Sequence, residues 1–246
     1  SVAGGRTITF VPPAELTLRY DSFVTERELE ESGVVEASFE EKEMLSAHDT
    51  AYIRFRNPSA ARPGESYVLY RTLEPVVHPK TGRLFGYQTA VLGTVRLQAL
   101  EKDLAVGVIE RSFDVIERGA RVGPPVSSLD RKVVPRDNRA NVDGVVVASA
   151  PQLSTLGEFH VVFLDRGARD GVEVGNTFVV VRRGDGLETI SAIGGYVERP
   201  SSAEMPEEEI AQILVVDTRD NASAGVIVNA IREVQVGDRA VMRPAG

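Results

Sequence analysis

Pro63–Arg71 reads PGESYVLYR and Val174–Arg182 reads VGNTFVVVR. Each has a Gly, two polar residues, an aromatic, three apolar residues and an Arg. Gly64 matches Gly175, Tyr67 matches Phe178 and Arg71 matches Arg182, all at a constant offset of 111. Further along, DLAVGVIERSFDVIERGARV (Asp103–Val122) matches NASAGVIVNAIREVQVGDRAV (Asn221–Val241), at an offset of 118 as far as Arg121 and Arg239. That match pairs Gly107 with Gly225, Ile109 with Ile227, Ile116 with Val234 and Gly119 with Gly237. The difference of seven residues falls between the two phrases, where one copy has a hairpin and the other an insertion. We read this as an internal duplication of a β-rich module. In each copy the glycines suit tight turns, the aromatic and alternate apolar residues suit a core, and Arg71 or Arg182 would emerge at a strand end.

Apolar, β-branched and aromatic runs separated by Gly and Pro continue through both copies, as strands joined by turns do. In the first, AYIRF, ESYVLYR and RLFGYQTAVLGTVRLQAL are separated by short breaks, and Pro79–Gly82 (PKTG) reads as a hairpin turn with Gly82 at positive φ. In the second, GVVVASA and FHVVFLDRG read as an antiparallel pair. Gly167, Gly171 and Gly175 lie between two such runs and read as turn residues. About five short strands per copy fit a small barrel or a curled antiparallel sheet, which removes exposed edges. The expected fold class is mainly β with a few short helices, in two related β-rich modules.

Ahead of the first module, RTITF (Arg6–Phe10) and LTLRY (Leu16–Tyr20) alternate as an entry strand pair. Thr25 with Glu28, and Ser38 with Glu41, have capping-box spacing and predict helices over Glu26–Ser32 and Phe39–Ser46. The organisation is therefore N-terminal strands and helices (1–46), a first module (47–123), a charged Pro-containing linker (124–143) and a second module (144–246). Within the second, residues 184–209 mix Gly, Ser, Pro and Glu like a flexible, solvated insertion.

The 246 residues carry 28 basic and 36 acidic side chains, a formal net charge of −8 that repels a phosphate backbone, so nucleic acid is not an expected partner. No apolar run approaches the length of a membrane-spanning helix. The start lacks the basic and apolar regions of a signal peptide, which suggests a mature or trimmed chain. Zero Cys excludes disulfides, thiolate metal sites and a Cys nucleophile, while leaving the compartment open. His48, His78 and His160 are scattered, and no Walker loop, G-x-S-x-G elbow or H-E-x-x-H motif occurs. Glu207–Glu209 reads as a solvated acidic run. We therefore expect no catalytic, cofactor or metal residues, and a scaffold that holds a protein partner through strand edges or loops.

Five stretches carry a family resemblance: TERELEESGVVEASFEEKEMLSAHDTAYIRF (Thr25–Phe55), PGESYVLYR, HPKTGRLFGYQTAVLGTVRL (His78–Leu97), GVIERSFDVIERGARV (Gly107–Val122) and VVFLDRGARDGVEVGNTFVVVRR (Val161–Arg183). Together they resemble the C-terminal region of the LysM-containing, secretin-associated proteins of type IV pilus systems, the TsaP-type family of Gram-negative bacteria. The resemblance implies a periplasmic, non-enzymatic scaffold that contacts the outer-membrane secretin or neighbouring copies of itself. It implies peptidoglycan contact only through a LysM module, to which none of these residues corresponds. A glycan-binding module, an envelope hydrolase and a part in another envelope machine, such as a flagellar collar, are the alternatives.

Overall fold

The computed structural model describes residues 16–19, 22–125, 130–150, 156–183 and 207–244. The chain divides into two compact units, one of residues 17–132 and the other of residues 133–246 together with Leu16. After β1 (Leu16–Arg19), which spans the boundary at Leu16, the first holds β2 (Ser22–Thr25), α1 (Glu26–Glu31), β3 (Gly33–Ser38), β4 (Met44–Leu45) and β5 (Thr50–Phe55). It continues with β6 (Ser66–Val77), β7 (Leu84–Glu101), β8 (Leu104–Ser112), β9 (Ile116–Glu117) and β10 (Arg121–Pro125), and β11 (Asp130–Val133) spans the division. The second holds β12 (Val142–Ala150), β13 (Val161–Leu164), β14 (Thr177–Arg183), β15 (Glu207–Thr218), β16 (Ser223–Ala230) and β17 (Arg239–Met242).

Strands β12-β13-β16-β15-β14-β17 form a closed barrel. In the first unit the ladder runs β7-β6-β10-β3-β5-β8, and a β7–β8 pairing brings it back to its start, so it too is a ring of six, with β2 added outside on β7. Taken in chain order, both rings connect their strands as first-second-fifth-fourth-third-sixth. The repeat read in the sequence is thus one topology formed twice. The strand missing from the expected five of the first copy is β3 (Gly33–Ser38), which lies in the stretch 1–46 read as N-terminal strands and helices.

Backbone hydrogen bonds match copy for copy. Gly64 N donates to Leu97 O at 2.7 Å and Gly175 N to Val215 O at 2.9 Å. His48 N donates to Ile109 O at 2.8 Å and Phe159 N to Ile227 O at 2.7 Å. Gly119 N donates to Val35 O at 2.8 Å and Gly237 N to Val146 O at 2.7 Å. Gly119 and Gly237 hold φ of +93° and +100°, a region that costs other residues a Cβ clash. The cores correspond as well: Val35 with Val146, Leu45 with Leu156, Tyr67 with Phe178, Ile109 with Ile227 and Ile116 with Val234 are all buried.

The helix expected over Glu26–Ser32 is present as α1, one residue shorter. Six residues are too few to be helical alone; Leu29 packs with Val68, Tyr70, Tyr87 and Val91 on the outer side of β6 and β7. The helix expected over Phe39–Ser46 does not form. Glu41 takes φ +56°, Ser38 Oγ accepts from Lys42 N at 3.0 Å, and β4 pairs with β9 instead. Of the linker 124–143, Pro124 and Pro125 end β10, β11 lies within it, and its last two residues begin β12. The expected strand Arg6–Phe10 and residues 184–206 of the expected insertion lie outside the described residues. The last part of that insertion is strand: Glu207, Glu208 and Glu209 oppose Arg183, Arg182 and Val181 in β14, so the acidic run is ordered across from two arginines. Among the described residues no helix is long and apolar enough to cross a membrane.

Candidate functional site

The residues singled out by the repeat do not converge. Gly64, Gly119, Gly175 and Gly237 occupy positive-φ turns. Gly107 and Gly225 lie in β8 and β16, where a neighbouring strand leaves no room for a side chain. Tyr67 and Phe178 are core residues, and Tyr67 meets Phe55 edge-on at a ring separation of 6.1 Å. Arg71 reaches Asp114 at 3.2 Å, whereas Arg182 binds both oxygens of Asp238 and the carbonyl of Glu233. All ten are folding positions. No group of three or more His, Asp or Glu among the described residues is placed to hold a metal ion.

A different set of residues collects at one end of each barrel, the end toward which β3, β6 and β8, or β12, β14 and β16, run. In the first barrel, β4 and β9 close this end as a two-residue ribbon, with Leu45 opposite Ile116. Both side chains point into the core, 2% and 0% exposed. Strand alternation then turns their neighbours outward: Met44 and Val115 are exposed, and so are Phe39 and Phe113 beside them. The second barrel closes in the same way, through a bridge between Leu156 and Val234, and exposes Phe159, Ile231 and Val236 there. Phe113 and Ile231 are equivalent in the repeat, and their N–H groups donate to Leu92 O and Ile210 O, each at 2.8 Å.

The first barrel adds an arm. β6 and β7 continue as a hairpin beyond the residues that pair with β10 and β8, joined there by β2 and packed by Leu29 of α1 on Tyr87 and Val91. About six residues in each strand give the arm a reach of roughly 20 Å. It carries exposed Leu73, Val77 and Leu84, and its tip is the turn expected at Pro79–Gly82, with Gly82 at φ +66° and the N–H groups of Lys80 and Thr81 donating to His78 Nδ1. Pro75 interrupts the outer edge of β6, a device that discourages another strand from adding there. The arm thus offers an exposed face beside an edge that Pro75 interrupts.

The cap is held firmly. Lys42 Nζ binds Asp49 at 2.8 Å, and Asp49 also accepts from Ser46 N at 2.9 Å. The Lys42 hydrogen bond, with that of Ser46, holds the Asp49 carboxyl below the usual carboxylate range. Asp114 accepts from Val115 N at 2.8 Å, its N–H donates to Leu92 O, and its carboxylate meets Arg71 at the base of the arm.

Of the eleven large hydrophobic side chains exposed among the described residues, four lie at this end of the first barrel, three on its arm and three at the matching end of the second barrel, and Val134 is the exception. Among the described residues the opposite ends carry a single such side chain, Val134 beside Gly175. Folding alone therefore does not require the apolar surface, and a clustered apolar surface rimmed by charge marks a contact site. Sequence reasoning missed it because exposure depends on which side of the β4–β9 ribbon a residue faces, and that ribbon joins segments about seventy residues apart. Comparison with protein-family models and with curated proteins returns no match.

Proposed function

We propose that this chain is a non-enzymatic scaffold module of a bacterial envelope machine, one that docks a protein partner through the apolar cap of its first barrel and the arm beside it. The gathering of exposed apolar side chains at one end of rigid, hydrogen-bonded barrels carries this reading. Such a surface suits a protein contact, with apolar anchors inside a charged rim. The resemblance to the TsaP-type family supports naming the machine: type IV pili, with the outer-membrane secretin as partner, in the periplasm of a Gram-negative bacterium. On this reading peptidoglycan is reached through a LysM module and not through these barrels.

Co-purification of the chain with detergent-solubilised pilus secretin tests this, with peptidoglycan sacculi as parallel bait. Retention by the secretin is the expected result. Retention by sacculi alone would replace the proposal with glycan binding.

A further inference from the structure

The cap and arm differ in charge as well as in shape. Around Met44 and Val115 the exposed cap carries Glu40, Glu41, Glu43 and Glu117 against Arg118, with Lys42 already engaged by Asp49. The arm tip carries Lys80 and Arg83 beside exposed Val77 and Leu84. Within one chain Arg71 at the base of the arm binds Asp114 of the cap, while Leu73, Val77 and Leu84 stay exposed. The basic, apolar tip therefore matches in chemistry a cap of the same chain whose Met44 and Val115 stay exposed.

We propose that two copies of this chain associate end to end about a two-fold axis, each laying its arm across the acidic, apolar cap of the other's first barrel. Because arm and cap belong to the same end of one barrel, a two-fold axis forms both contacts at once and closes the assembly at two. Apolar contact of Leu73, Val77 and Leu84 with Met44, Phe113 and Val115 supplies the attraction. Pairing of Lys80 and Arg83 with Glu41 and Glu43 sets the orientation against the repulsion of two chains that each carry −8. This inference rests on the reading of the cap as a docking end; because it uses the same cap and arm, pairing of two copies competes with docking of the secretin.

Sedimentation velocity of the full chain over a hundredfold range of concentration tests it. The expected result is a concentration-dependent dimer. Lys80→Glu with Arg83→Glu should weaken it by about tenfold or more in Kd, Glu41→Lys with Glu43→Lys should do the same, and all four together should restore it. A monomer throughout, assemblies that grow past two, or a dimer indifferent to these changes would overturn the proposal. Secretin capture measured on the same variants separates the two ideas. Capture of a chain that never dimerises would leave the docking function standing without this inference.

Discussion

Gly107 and Gly225 show how closely the two copies are built. A Cβ on Gly107 would lie 2.7 Å from Val95 Cγ2 and 3.2 Å from Arg96 O; on Gly225 it would lie 2.3 Å from Ile213 Cγ2 and 3.1 Å from Leu214 O. The obstructing residues are themselves equivalent in the repeat. We expect Gly107→Ala and Gly225→Ala each to cost about 1–3 kcal/mol through overpacking, the second more than the first, as read by urea unfolding. Asp49 makes a prediction in pH. Its carboxyl is depressed in the folded chain by Lys42 and by Ser46 N–H, so its stabilisation is complete above the ordinary value near 3.9 and is lost as pH falls through the lower folded value. Asp49→Asn should therefore melt below the native chain at pH 7, and the difference should shrink below about pH 3.5. A gap that persisted undiminished into acid would assign the effect to packing instead.

The strands were legible because alternation and turn glycines act over a few residues, and the paired phrases showed which strands were equivalent. The cap was not legible. Ser38 and Glu41 have the spacing of a helix start, yet Glu41 adopts a left-handed backbone and the segment is fixed by Leu45 meeting Ile116 across the barrel mouth. Local capping propensity lost to a tertiary contact worth more. The acidic run at Glu207–Glu209 was misread for a similar reason, since its cross-strand arginines are not sequence neighbours. Leu45 and Leu156 plug the same end of their barrels, so Leu45→Ala and Leu156→Ala should each cost about 2–5 kcal/mol in denaturant unfolding, with neither cap able to collapse into the space. A loss below about 1 kcal/mol at either site would show that the ribbons lie over the core without sealing it.

Each barrel closes on its own strands and encloses its own core. Residues 133–246 expressed alone should therefore keep a strand-type circular dichroism spectrum and a cooperative melt; a molten, non-cooperative chain would mean that the closed ring is not self-sufficient. With folding met twice by the same plan, the apolar end and the arm remain as features that folding does not account for, and they carry the functional reading. The variant Met44→Thr with Val115→Glu tests it directly, because it makes the first cap polar at two exposed positions, the second of which is already Glu233 in the other copy. Its stability should stay within about 0.5 kcal/mol of the native chain. Measured beside the native chain in the secretin co-purification, it should be retained far less. Retention equal to that of the native chain, at unchanged stability, would contradict the account.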